Sequence, residues 1–384
     1  AHLGADVTVV DRDGLGGAAV LTDCVPSKTL ISTADFMGRF TAAADLGVHF
    51  PAVQPAAPAA ADLSLVNARI TALARAQSAD IGARMARERV RVVRGVGRLD
   101  GPQRVVVDAA PDGADAGSPT ELDADVVLVS TGARPRELDS AVPDGTRILT
   151  WQQVYDLTEL PEHVVVVGSG VTGAEFAHAY LGLGCRVTLV SSRDRVLPGE
   201  DPDAAQVIED VFRRRGMQVL HRSRAESVVR CGDGVRVRLT DGRAVEGSHC
   251  VMAVGSVPNT AGLGLAEAGV TLSPSGHVTV DGVSRTTARG VYAAGDCSDF
   301  LPLASVASMQ GRTAVFHALG DAVSPTELRN VTSNIFTQPE IATVGWSQKQ
   351  IEDGLTTGIV YKLPLAANPR AKMMGIKDGF VKLF

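Results

Sequence analysis

At 384 residues, 45% hydrophobic and 21% charged, the chain has room for two or three domains with sizeable cores. A formal charge of −6 with no basic cluster argues against a nucleic-acid surface, and no apolar run reaches the roughly 18 residues of a membrane span. The five cysteines, at 24, 185, 231, 250 and 297, include no C-x-x-C pair and no even framework, which suits a reducing cytoplasm and predicts no metal site.

Val7 to Val10 reads as an apolar strand ending on Asp11. The stretch GGAAVLTDCVPSK, Gly16 to Lys28, is a Gly-Gly turn, a lone Cys24 and the start of a helix that continues from Ser27 to Phe40. A disulfide redox centre needs one attacking and one resolving sulfur, yet five positions before Cys24 stands Ala19. PAVQPAAPAAAD is a Pro/Ala linker, and Leu63 to Arg89 has the period and charge of a long surface helix. VRVVRG and QRVVVDA are strands, PDGADAGSPTE is a hairpin tip, and DVVLVSTGARPR is a buried strand running into a glycine turn. A second α/β unit begins at HVVVVGSGVTGAEFAHAYLGLGCRVTLVSS, followed by strands VRVRLT and HCVMAVG, then GVYAAGDCSD and a helix to Leu319. From Asn330 the pattern turns strand-rich. The chain opens on a helix tail and stops on a strand, so both ends read as cut from a longer parent.

Gly168, Gly170 and Gly173 spell G-x-G-x-x-G directly after Val164–Val167 and before a helix, the context that makes the pattern a dinucleotide fingerprint. The first glycine permits the tight turn, the second lets pyrophosphate approach and the third lets helix and strand pack. The helix start, with Val171 and Thr172, then faces the phosphates. The following strand ends on Ser191, where an NAD site usually has Asp or Glu for the ribose 2′-hydroxyl. Arg193 and Arg195 follow closely. With no carboxylate to repel it and an arginine to pair with it, a 2′-phosphate is favoured, so NADPH is expected and NADH is possible too. The alternative is that both arginines are ordinary solvated surface residues.

VTVVDRDGLGG reads as the second strand of another dinucleotide unit, with Asp11 at an adenosine ribose and its own fingerprint upstream of residue 1. Together with STGARPR (Ser130–Arg136) and GVYAAGDCS (Gly290–Ser298), it resembles the FAD-binding segments of the flavoprotein disulfide reductases. That family includes dihydrolipoamide dehydrogenase, glutathione reductase, mercuric reductase and soluble transhydrogenase. The resemblance runs along the chain in order. GGAAVLTDCVPSK matches the family's active-site loop, GSGVTGAEFA its NAD(P) fingerprint and VGSVPN its V-G-R-x-P-N. LPLASVASMQG sits where a flavin-contacting helix begins, and FTQPEIATVG matches the start of the dimerisation domain.

The resemblance implies an α/β fold with two Rossmann-like domains of the glutathione-reductase type. Residues 1–150 would be the FAD domain without its first strand, 151–272 the NAD(P) domain, 273–329 a returning FAD segment, and 330–384 the truncated start of an α+β dimerisation domain. It also implies that Asp11, Gly16, Gly17, Thr131, Gly132, Asp296, Leu303 and Ala304 line FAD, with Asp296 on the ribityl chain. Gly168, Gly170, Val171, Thr172, Gly173, Ser191, Arg193 and Gly255 would serve the nicotinamide dinucleotide. Lys28 and Glu175 would form an ion pair beside flavin N5, where a cation stabilises the negative charge of reduced flavin.

The departures from the family pattern shape the expected activity. The family's first active-site cysteine falls on Ala19 and its second on Cys24; its V-G-R arginine is Ser256 and its L-A-H histidine is Ser305. The family's C-terminal His-Glu pair would lie beyond Phe384. Cys24 can touch a flavin but cannot complete dithiol exchange, and the other four cysteines read as packing residues. What remains suffices for hydride transfer from NAD(P)H to FAD and on to a quinone-type acceptor. This pattern resembles the LpdA-type NAD(P)H quinone reductase branch. The expectation is therefore a cytoplasmic, homodimeric FAD-dependent NAD(P)H dehydrogenase (quinone), with Lys28, Glu175 and Cys24 at the reacting centre. The alternatives are a soluble pyridine nucleotide transhydrogenase and a non-catalytic flavin-binding scaffold.

Overall fold

The computed structural model describes residues 1–41, 43, 47–48, 60–109 and 119–384. The Pro/Ala linker and the hairpin tip fall almost entirely outside the described residues. In chain order, β1 (Thr8–Asp11) leads into α1 (Gly17–Leu21), α2 (Cys24–Thr41) and α3 (Leu63–Arg87). Then come β2 (Arg91–Arg94), β3 (Val96–Leu99), β4 (Arg104–Asp108), β5 (Thr120–Asp123), β6 (Val127–Val129) and β7 (Ala133–Pro135). The next α/β run is β8 (Ile148–Thr150), β9 (His163–Val167), α4 (Val171–Leu183), β10 (Arg186–Val190), α5 (Pro202–Arg214) and β11 (Gln218–Leu220). β12 (Ala225–Cys231), β13 (Gly234–Leu239), β14 (Ala244–Gly247), β15 (His249–Met252), β16 (Ser256–Pro258), β17 (Val291–Ala293) and α6 (Ala304–Ala318) follow. The chain closes with β18 (Ser333–Ile335), β19 (Ile341–Thr343), α7 (Gln348–Glu352), β20 (Tyr361–Pro364), α8 (Pro369–Met373) and β21 (Phe380–Leu383).

Two compact units emerge, each assembled from three stretches of chain. One comprises Ala1–Pro26, Thr71–Arg134 and Ser256–Val331. In it β1 pairs in parallel with β2, β6 pairs in parallel with β17, and β3, β4 and β5 form an antiparallel sheet. Its core gathers Leu99, Val129, Leu265, Val278, Val291 and Cys297.

The other unit comprises Ser27–Ile70, Pro135–Gly255 and Thr332–Phe384. Its centre is a five-stranded sheet in the order β11-β10-β9-β15-β8, all parallel. Parallel strands are covered on both faces, so they carry continuous apolar runs instead of alternation. Val164, Val165, Val166 and Leu189 are accordingly all without solvent exposure. Helix α4 packs Ala174, Phe176, Ala177 and Tyr180 into the same core. An antiparallel meander β12-β13-β14 and the hairpins β18–β19 and β20–β21 complete the unit.

Several local expectations change. Helix α2 begins at Cys24, not Ser27, because Pro26 falls in the first turn, where its missing N–H would have had no partner anyway. Helix α3 is not simply a surface helix: Leu63, Asn67, Ile70 and Ala74 form a buried stripe at helical spacing. Within DVVLVSTGARPR, expected to be a buried strand, Val126 and Leu128 are exposed while Val129 is buried, the alternation of a strand covered on one face only. Cys185, Cys250 and Cys297 are buried as expected, whereas Cys231 is exposed at the end of β12, just before the turn at Gly232.

Candidate active site

The turn from β9 into α4 is built around its glycines. At Gly168, with φ 110°, an added Cβ would lie 2.1 Å from the Ala253 carbonyl oxygen; at Gly173 it would lie 1.9 Å from that of Gly168. The protein's own backbone forbids a side chain at both. Gly170 differs: nothing lies within 4 Å of its missing Cβ, and it caps α4 with no side chain over the helix end. The middle glycine therefore opens space above free helix amides, which suits a pyrophosphate. Val171 and Thr172 form the first turn of that helix. Gly255, at φ 95° after β15, accepts the Arg136 N–H through its carbonyl at 2.9 Å.

At the end of β10, Ser191 is fully buried and its hydroxyl is turned inward. Its Oγ lies 2.7 Å from the Ser169 hydroxyl and accepts the Arg193 N–H at 3.1 Å. Ser191 thus ties its own loop to the glycine loop. Arg193 is exposed and makes no side-chain hydrogen bond or ion pair among the described residues. Asp194 is engaged by Arg222 at 2.6 Å, and Arg195 reaches the Pro198 carbonyl at 3.4 Å.

One turn into α4, Glu175 meets Lys28 of α2, with Nζ 2.9 Å from Oε2. The glutamate side chain is 5% exposed and the lysine 35%. The second glutamate oxygen accepts the Phe336 N–H at 2.9 Å, and the Phe336 ring centroid lies 5.1 Å from Lys28 Nζ. Cys24, half-buried, opens α2 four residues before Lys28, a spacing that places both on one helix face. Ala19 lies within α1.

In the first unit, Asp11 ends β1, accepts the Gly14 N–H and stands 3.7 Å from Arg94. Gly16 caps α1 at φ 100°, a left-handed conformation, and Gly17 follows at φ 58°. Thr131 and Gly132 are held by Asn259, which accepts the Thr131 hydroxyl at 2.6 Å and donates its N–H to the Gly132 carbonyl at 2.9 Å. Burial pushes the Asp296 carboxyl up, and among the described residues nothing donates to it. The neighbouring Gly295 N–H is held by the fully buried Gln310 of α6 at 2.9 Å. Leu303 caps that helix and Ala304 is its first residue.

Ser169, Asn259, Gln310 and Phe336 were not among the expected site residues. Each nonetheless sits inside a motif already singled out: the fingerprint, VGSVPN, LPLASVASMQG and FTQPEIATVG.

Residues 1–311 match the family described as pyridine nucleotide-disulphide oxidoreductase, and residues 331–384 match its dimerisation domain. The chain belongs to this family. It is an oxidoreductase of α/β fold, and members use FAD and NAD(P)H. An NAD(P)H dehydrogenase (quinone) of Mycobacterium tuberculosis is 53% identical over 379 residues, covering 98% of this chain and 76% of that protein. A dihydrolipoyl dehydrogenase of Zymomonas mobilis is 30% identical over the whole of this chain and 80% of its own. Among solved structures, LpdA from Mycobacterium tuberculosis superposes with a TM-score of 0.91 at 52% identity, covering 99% of this chain and 81% of the other. The flavoprotein disulfide reductase RclA from Escherichia coli shares the fold at 23% identity, with a TM-score of 0.83 over the same shares of the two chains. No helix among the described residues is long and apolar enough to cross a membrane.

Proposed function

We propose that the chain is an FAD-dependent NAD(P)H quinone reductase acting as a cytoplasmic homodimer. NADPH, with NADH as a second donor, gives a hydride that reaches a quinone-type acceptor as two electrons; with one solvent proton the products are NADP⁺ and a hydroquinone. Bound FAD supplies the two-electron store between donor and acceptor.

The observation that carries this reading is an intact Lys28–Glu175 pair in a chain whose sequence has Ala19 at the position of an attacking thiol. The residues present fit both cofactors. The open space at Gly170 accommodates a pyrophosphate, and the unmatched, partly buried Asp296 carboxylate awaits hydroxyl donors. Lys28 holds a positive charge where reduced flavin develops negative charge. Glu175 keeps that lysine oriented, Arg193 is free to pair with a 2′-phosphate, and Asp11 accepts from an adenosine ribose. Gly16, Gly17, Thr131, Gly132, Leu303 and Ala304 line the flavin, while Val171, Thr172, Gly173 and Gly255 line the nicotinamide nucleotide. Cys24 neighbours the flavin and adjusts its potential without acting as a nucleophile. The name of the 53% identical relative supports this assignment.

The test supplies the FAD-loaded protein with NADPH and, separately, a small quinone, lipoamide or glutathione disulfide. The quinone is reduced and the disulfides are not. Lipoamide reduction by the unmutated protein overturns the reading of the loop. Transfer to an NAD analogue in place of the quinone makes the protein a transhydrogenase instead.

A further inference from the structure

Both oxygens of the buried Glu175 carboxylate are occupied, one by Lys28 Nζ and the other by the Phe336 N–H, each at 2.9 Å. Phe336 also presents its ring to the same lysine. One residue, 161 positions along the chain from Glu175, therefore touches both members of the pair. Its own position is well anchored. The preceding Ile335 ends β18 in the core, and the following Thr337 donates its hydroxyl to the Pro339 carbonyl at 2.8 Å. A carboxylate held at both oxygens cannot rotate to offer Lys28 a second geometry. The ammonium has three N–H donors. Glu175 takes one and the aromatic face attracts the charge from another side, which restricts where the remaining donors point.

We propose that Phe336 is a positioning residue for this pair, fixing Glu175 through its N–H and Lys28 through its ring. The hairpin that opens the dimerisation domain then determines how steadily a positive charge is presented to the flavin. The proposal rests on the reading that Lys28 serves bound FAD. Every replacement of Phe336 except proline keeps the main-chain N–H, so side-chain variants isolate the ring.

The experiment is an anaerobic equilibrium titration of the bound flavin against a reference dye in the FAD-loaded protein. It compares the wild type with Phe336→Leu, Phe336→Trp, Lys28→Gln and the double variant Phe336→Leu/Lys28→Gln. Phe336→Leu lowers the ratio of reduced to oxidised flavin at a fixed potential by about 2- to 30-fold, the range of a cation–π contact. Phe336→Trp, which keeps an aromatic face, restores the wild-type ratio. In the Lys28→Gln background the leucine has no further effect, because the contact it would break is already gone. An unchanged ratio in Phe336→Leu overturns the proposal, and so does an equal shift with and without Lys28, which marks a packing effect. If Lys28→Gln itself leaves the ratio unchanged, the reading of Lys28 at the flavin falls first and the role of Phe336 falls with it.

Discussion

Among single residues, Asp296 offers the sharpest contrast between stability and binding. Burial raises its carboxyl pKa, so the ionised form costs the flavin-free fold something. That cost is absent below the ordinary aspartate range near about 3.9 and is complete once pH exceeds the raised value. Asp296→Asn should therefore raise the melting temperature of the flavin-free protein at neutral pH, with the gain fading on acidification towards about 4. The same change should weaken FAD binding by about 1.5–3 kcal/mol, the range of a hydrogen bond to a charged group. Calorimetry of the apoprotein and FAD titration check the two halves; a loss of stability at pH 7 contradicts the first. Arg193→Ala should raise the KM for NADPH by a factor corresponding to about 1–3 kcal/mol and leave that for NADH alone. Equal losses show that Arg193 does not read the phosphate. Asp296 and Arg193 could be singled out in the sequence because a motif marks the one, a missing acid nearby marks the other, and each carries a charge. Phe336 was not, since half of its contribution is a main-chain N–H that any residue type would supply.

At the level of elements, the turn between β9 and α4 separates two roles that the same residue type plays. Gly173→Ala drives a methyl group into the Gly168 carbonyl, so it should destabilise the unit by about 1–3 kcal/mol, as overpacking does. Gly170→Ala meets open space at φ −71°, so it should leave the melting temperature within a degree or two while raising the KM for the pyridine nucleotide. Thermal unfolding and steady-state kinetics on the two variants decide it. If Gly170→Ala also unfolds the protein, the space above the helix end is not reserved for a ligand. The fingerprint could be read from sequence because its demands are steric and local. The strand β3 could not, because Gly95 and Gly97 interrupt its apolar pattern and its pairing with β4 supplies the order instead. The start of α2 was placed three residues late for a related reason: proline is usually a boundary, and here it lies inside the first turn.

For the molecule as a whole, each unit draws on three stretches of chain, so its contacts join residues far apart in sequence. Motif order made the family and the α/β class readable without such contacts. The inward turn of Ser191 was hidden, because sequence shows that an acid is missing and not where the replacement points. The match of residues 331–384 to a dimerisation domain leads to a further expectation. A chain extended to the length of its relatives should sediment as a dimer at micromolar concentration, and a monomer there removes the homodimer assignment.

The paired hydroxyls of Ser169 and Ser191 constrain how this lineage can change its coenzyme preference. Introducing a glutamate at position 191 would be the obvious one-step route towards NADH. That position, however, is sealed from solvent and bonded to the glycine loop, so the newcomer would break the link before it could reach a ribose. A glutamate at 191 should therefore be tolerated better when Ser169 is replaced in the same variant. If the site prefers NADPH as proposed, laboratory evolution that samples single replacements at position 191 should rarely shift it towards NADH.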